Sequence, residues 1–304
     1  MRPRLSFEWL HACSGCEIAL LNSGELLLGL LERVEIVHFP LLMDHKYTNR
    51  ADGEGELNLP EAEIGLVSGG VASEEHLAVL RAMRARCRTL VSLGTCATHG
   101  GIPALRNQWP IATALKTVFA GSEEGTPIPD TVLAFLDRVY SIDEQVPVDV
   151  SLPGCPPRPE SIIELLEALL AEESFHLPCK SVCETCPTIR TGKGQQKVRR
   201  FLANAEYDPE KTVAEMRCLL EQGLLCMGPV TAGGCGGKDA PLCIRARVPC
   251  RGCYGPVRQG GNQLLDMLNA LASNGMGHRD IVDRRSLLRF SGAHGLLKPL
   301  RERK

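Results

Sequence analysis

At 304 residues, with 44% hydrophobic and 23% charged side chains, the chain can build a proper core and fill two domains, which excludes a disordered polymer. A formal net charge of -2 and a pI near 6.5 supply no general basic field, so nucleic acid is not an expected partner. No apolar run approaches the roughly 20 residues of a membrane helix, the richest, Leu26 to Leu31, being interrupted by Gly29.

The opening MRPRLSFEWL has no long apolar stretch, cleavage site or twin-arginine leader, so export is not expected and a cytoplasmic location is. Apolar, β-branched segments then predict strands at Arg4 to Leu10, Val34 to Leu41, Ile64 to Val67, Thr89 to Leu93 and Val148 to Leu152. Between them, helical spacing of leucines predicts helices over Cys16 to Leu31, Glu74 to Arg86, Ile111 to Phe119 and Pro159 to Ala171. The alternation predicts an α/β domain over 1–171, a doubly wound parallel sheet, with an exposed loop inserted at Asp44 to Pro60. Past residue 172 the apolar periodicity weakens and Gly and Pro become frequent, which predicts a second, smaller domain over 172–265 stapled by something other than hydrophobic burial. A C-terminal extension, 266–304, is basic from Arg279 onward and reads as a solvated tail or helix.

Fourteen cysteines in a chain without an export signal read as metal ligands, because cytosolic thiols are held reduced. Cys13 and Cys16 follow the first predicted strand, Cys96 the fourth and Cys155 the fifth. Ligands of open α/β sheets bind outside the carboxyl ends of the strands, and four thiolates gathered there match the needs of a 4Fe-4S cluster. Gly15, Gly94 and Gly154 would let backbone amides approach its sulfurs. A thioredoxin-like Cys13/Cys16 pair or a zinc site are the alternatives.

Eight more cysteines form two further sets: Cys183, Cys186, Cys218 and Cys226, then Cys235, Cys243, Cys250 and Cys253. Zinc is again the rival to iron-sulfur. Of the two cysteines left, Cys87 reads as a packed or surface thiol, while Cys179 is close enough to Cys183 to stand in for Cys218.

Taken in order, the motifs around Cys13 and Cys16 (CSGCE), Cys96 (GTCA), Cys155 (PGCPP), Cys186 (CPT), Cys226 (LCMGP) and Cys250 and Cys253 (PCRGC) resemble the small subunit of nickel-iron hydrogenases, from about residue 5 to 265. The resemblance implies a flavodoxin-like N-terminal domain and three 4Fe-4S clusters: proximal on Cys13, Cys16, Cys96 and Cys155, medial on Cys235, Cys243, Cys250 and Cys253, distal on Cys183, Cys186, Cys218 and Cys226. It implies a large-subunit partner carrying the nickel-iron centre, with this chain passing electrons singly to a downstream acceptor. Exported members commonly use a histidine in the distal set and a proline near the fourth medial position; here Cys183 and Cys243 stand instead. These departures resemble the cytosolic methyl-viologen-reducing type, which implies a heterodisulfide reductase-like acceptor.

No catalytic residue is expected in this chain, Glu17 being the candidate for a proton relay against a structural or interface role. His99 would either pack or hydrogen-bond near the proximal cluster, and Trp9 and Trp109 would pack or contact a partner. Competing readings are a sulfhydrogenase or pyridine-nucleotide-linked complex with a flavoprotein partner, a hydrogen-sensing complex, a complex I-like quinone-reductase subunit and a non-redox zinc scaffold.

Overall fold

A computed structural model describes residues 2–48, 57–119, 134–192, 194–199, 202–206, 208–277, 279 and 281–299. The chain divides into two units, one comprising Met1–Phe175 and Gly292–Lys304 and the other His176–Ser291. Five parallel strands carry the first: β1 (Arg4–Trp9), β2 (Glu35–His38), β3 (Ala62–Ser68), β5 (Cys87–Leu93) and β7 (Val150–Leu152), side by side in the order β2-β1-β3-β5-β7. Counted within this sheet alone, that is the 2-1-3-4-5 order of flavodoxin-like folds, whose direction of winding reverses between β1 and β3.

Strands buried on both faces are built from near-continuous apolar runs. In β3 and β5, Leu66, Val67, Leu90, Val91 and Leu93 are all fully buried. Phe7 of β1 stacks on Phe39, with ring centroids 4.6 Å apart.

Between strands run α1 (Gly15–Leu21), α2 (Glu25–Leu31), α3 (Glu74–Arg86), α4 (Gly94–His99), α5 (Ile111–Phe119) and α6 (Pro159–Leu170). Helix α3 begins where Ser73 accepts the His76 amide at 3.2 Å, with Glu74 and Glu75 in its first turn and Arg84 and Arg86 in its last. That arrangement matches both the orphan amides and the helix dipole. The single helix expected over Cys16 to Leu31 is two: Ser23 bonds back to the Leu20 carbonyl, and Gly24 turns the chain at φ +59°. Helix α5 has the expected bounds but none of its residues is buried.

A second, two-stranded antiparallel sheet, β4 (Val71–Ser73) with β6 (Phe135–Tyr140), is absent from the sequence expectations. β4 is only three residues long, too short for alternation to register. Of the predicted loop Asp44 to Pro60, residues 49–56 lie outside the described ones.

The second unit has little regular structure: short 3-10 turns, α7 (Leu242–Arg245) and α8 (Gln263–Ser273). Its core gathers Val182, Leu219, Leu224, Met267, Leu271 and Ile281, among others. Residues 266–304, expected as one basic extension, are therefore shared between the units. Met267 and Leu271 of α8 are fully buried in the second, because the helix has an apolar face that composition alone hid behind the later arginines. The segment from Gly292 lies in the first unit, where the Ala293 amide donates to the His99 carbonyl at 3.1 Å and His294 Nε2 meets Asp143 at 2.9 Å. Residues 280 and 300–304 of the basic stretch lie outside the described ones. Among the described residues no helix is long and apolar enough to cross a membrane.

Candidate metal centres

Three loops at the carboxyl end of the large sheet bring Cys13, Cys16, Cys96 and Cys155 together. The loop after β1 is held by reciprocal backbone bonds of His11 with Gly70, each 3.1 Å. It leads into α1, whose first turn carries Cys16. Cys96 sits in the first turn of α4, directly after β5. The loop after β7 is lashed to that turn twice: the Thr95 amide donates to the Gly154 carbonyl, and the Gly154 amide donates to Thr95 Oγ1, both at 2.8 Å.

Glycine is required at two points. Gly94 has φ +82°, and a Cβ there would run into Cys16 Sγ; Gly154 has φ +141°, and its Cβ would fall 2.5 Å from Pro157 Cα. Cys13 and Cys155 are exposed, while Cys16 and Cys96 lie deeper. Burial pushes the Cys16 thiol well above its usual range, and negative charge on Glu17, Cys96, Cys155 and Cys13 adds to the shift. Burial, with Cys155 and Cys13 nearby, pushes Cys96 up to about 12. Such a set holds four thiolates only beside compensating positive charge, which ligated iron supplies. Among the described residues no three Cys, His, Asp or Glu side chains are arranged to hold a single metal ion, whereas these four thiols feel one another across a shared space. The donor set and the glycine clearances fit a multi-atom iron-sulfur group.

Glu17 is buried, takes a hydrogen bond from Ser68 and leaves Oε2 without a partner; burial raises its carboxyl above the ordinary value. His99 Nδ1 meets Thr98 Oγ1 at 2.7 Å, and burial lowers the imidazole pKa to about 4. Trp9 and Trp109 are about half exposed, at 41% and 52%. Cys87 is buried inside the sheet core against Gly65.

In the second unit Cys183 and Cys226 flank Gly228, whose Cβ would lie 3.0 and 3.6 Å from their sulfurs. Burial pushes Cys183 up to about 11 and Cys226 up to about 12. Cys218 adds to both shifts and Cys186 to the first, so these four thiols lie within electrostatic reach of one another. Cys179 is exposed and contributes to neither. Cys250 donates its amide to Cys226 Sγ at 3.2 Å, and its own thiol is pushed well up by burial, then by Cys226 and Cys253. Cys235 packs against the hydrophobic core, and Cys243 lies on α7.

Two supporting residues escaped the sequence reading. Glu221, 3% exposed, accepts the Thr191 and Gly192 amides at 2.8–3.0 Å and the Thr191 hydroxyl at 3.0 Å. Arg190 donates to the Cys183 carbonyl. Neither carries a local signal, since each acts at a distance along the chain.

The family described as NADH ubiquinone oxidoreductase, 20 Kd subunit, matches residues 13–169. An F420-non-reducing hydrogenase subunit of Methanothermobacter marburgensis is 33% identical over 276 residues, 89% of this chain and 84% of the relative. The chain belongs to the family of nickel-iron hydrogenase small subunits. The delta subunit of the NAD-reducing hydrogenase HoxS of Cupriavidus necator is likewise 33% identical, but over 176 residues, 56% of this chain. The crystal structure of an NAD+-reducing NiFe hydrogenase in the H2-reduced state aligns with a TM-score of 0.52 at 35% identity, covering 59% of this chain and 96% of that one. This small subunit therefore shares somewhat more than half of its length with those shorter relatives and most of it with the Methanothermobacter protein. Family membership makes it one component of an oxidoreductase acting on H2.

Proposed function

We propose that this chain is the electron relay of a cytoplasmic nickel-iron hydrogenase, carrying three 4Fe-4S clusters between a large-subunit H2 site and a downstream acceptor protein. The observation that carries the reading is the meeting of Cys13, Cys16, Cys96 and Cys155 at the carboxyl end of one parallel sheet, in a member of this family. Those four hold the proximal cluster. Cys235, Cys243, Cys250 and Cys253 hold the medial one, and Cys183, Cys186, Cys218 and Cys226 the distal one. When bound, the clusters supply one-electron chemistry at potentials set by burial and hydrogen bonds. The protein's part is to hold and insulate them. Thr95 and Gly154 fix the spacing of two proximal loops, Gly228 separates Cys183 from Cys226, and the Cys250 amide on Cys226 Sγ keeps the medial and distal sets adjacent.

The first unit, with the proximal set, is the body of the sheet domain, and the second houses the other two sets. The large subunit docks at the proximal mouth, where Cys13 and Cys155 are exposed and Ile18 is 48% exposed. Glu17, buried beside Cys16, is a proton-relay candidate or an anchor for the β3 end through Ser68. The long coverage shared with the F420-non-reducing relative favours an acceptor of the heterodisulfide reductase-like kind; a flavoprotein acceptor is the second reading, carried by the NAD-reducing relatives that match just over half of the chain.

Metal and sulfide analysis of the complex, captured anaerobically from its host through a tag on this chain, tests the proposal. About thirteen irons, twelve labile sulfides and one nickel per chain are expected. Zinc in place of iron overturns the relay, and iron without nickel overturns the hydrogenase partner.

A further inference from the structure

The second unit differs from the first in charge. Residues 176–291 contain 17 Lys and Arg against 10 Asp and Glu, a formal +7, whereas the remaining residues contain 17 against 26, a formal -9. An oxidised 4Fe-4S cluster on four thiolates carries about -2, so two would leave the second unit near +3 and one would leave the first near -11; the difference in sign survives them.

Within the second unit, residues 189–192 are a presented loop. The buried Glu221 carboxylate grips it from beneath through the Thr191 and Gly192 amides and the Thr191 hydroxyl. On one side the Ile189 amide donates to Met216 and its carbonyl accepts the Cys218 amide at 2.8 Å; on the other, Arg190 reaches the Cys183 carbonyl. The outward face of so firmly held a loop is Ile189, 49% exposed, and the exposed Arg190, which forms no ion pair with any carboxylate among the described residues. An exposed apolar side chain beside an exposed arginine on a rigid support is the composition of an interface anchor. It stands over Cys183 and Cys218, two of the four proposed distal ligands.

We infer that the Ile189–Arg190 loop is the docking point of the electron-accepting protein, and that this partner presents an acidic face. The inference rests on the relay reading and deepens it by naming the partner's chemistry. Electrons leaving the distal set cross where Arg190 stands; each H2 gives two electrons and two protons, the electrons reducing two one-electron centres on acceptors. A cationic unit attracts an acidic acceptor and repels a basic one, with the largest effect on encounter rate.

The test uses the intact anaerobic complex and two protein probes, an acidic two-cluster ferredoxin and a lysine-rich cytochrome c. H2-dependent reduction of each is followed at low and high salt. The ferredoxin rate constant should fall about tenfold as salt rises from roughly 0.02 to 0.3 M. Arg190→Glu should lower it a further tenfold at low salt, Arg190→Lys should restore most of it, and the variant's deficit should vanish at high salt. A cytochrome rate constant that falls with salt as the ferredoxin's does overturns the inference, as does a deficit that persists at high salt, because Arg190 would then tune the cluster through Cys183 and not guide docking. H2-dependent bleaching of the iron-sulfur absorbance, without any acceptor, is read in the same samples. Its failure in the unmodified complex overturns the relay itself; bleaching with no salt-sensitive preference overturns only the docking surface.

Discussion

The two units place their grouped cysteines by opposite means. In the first, a five-stranded parallel sheet is already a complete core, and four cysteines sit on loops and first helical turns at its rim. In the second, eight proposed ligands are spread from Cys183 to Cys253 through 3-10 turns and the one-turn helix α7, so the ligands and much of the core share one stretch of chain. Cys226 and Cys250 are themselves buried members of that core. A sheet can lose its cluster and stay folded, whereas a fold whose turns converge on thiols should not.

Removing the metal should therefore separate the units most sharply. Anaerobic chelation of the complex, read by hydrogen exchange, should abolish protection through residues 182–256 while β3 and β5 keep theirs. Structural metal sites commonly contribute on the order of 10 kcal/mol to small domains that depend on them, far more than any single side chain considered below. Equal loss of protection in both units would dissolve the contrast.

The reverse perturbation is Leu90→Ala. Leu90 is fully buried in β5, and its truncation should cost about 2–5 kcal/mol. The loss should lower the melting temperature of the first unit, with the iron-sulfur absorbance of the second unchanged until that transition. A smaller and more local break is Thr95→Val, which leaves the buried Gly154 amide without its acceptor, at about 1–3 kcal/mol. Here the expected readout is loss of about four irons per chain with the sheet intact; full retention of iron would show that the two loops do not depend on each other.

How much was legible in the sequence follows the same division. The strands and helices of the first unit could be read because period and composition are local, and the rim cysteines stood out as soon as the strand ends were known. The split of α1 from α2 was missed because Ser23 and Gly24 sit inside an otherwise unbroken leucine pattern. In the second unit the cysteine spacings were visible but the core was not. Glu221 holds a loop some thirty residues earlier, and Gln263 of α8 is buried with its Nε2 on the Gly255 carbonyl at 3.0 Å while its Oε1 accepts the Ser291 hydroxyl at 2.8 Å. Such residues act through long-range closure, which no window of sequence shows.

The smallest effect expected concerns the return of the chain to the first unit. His294 Nε2 meets Asp143 at 2.9 Å and Ser141 Oγ at 3.1 Å, with Glu144, Arg138 and the buried His99 as the other charged or titratable neighbours. The hydrogen bond that its protonated ring donates to Asp143 raises the His294 pKa above its ordinary value, burial opposing. A histidine raised on folding stabilises most below its unfolded pKa of about 6.5, and its contribution is lost as pH climbs through the folded value. Because the ring is 42% exposed, solvent screening limits the gain to under about 1 kcal/mol. The Ala293 amide, which donates to the His99 carbonyl, reports it directly. Its exchange, corrected for the intrinsic rate, should be slowest near pH 6 and lose severalfold protection by about pH 8.5, and Asp143→Asn should flatten the profile. An unchanged profile in that variant would mean that the close packing of Gly292 and Ala293 on Gly100 and Ala104, and not the ion pair, holds the segment in place.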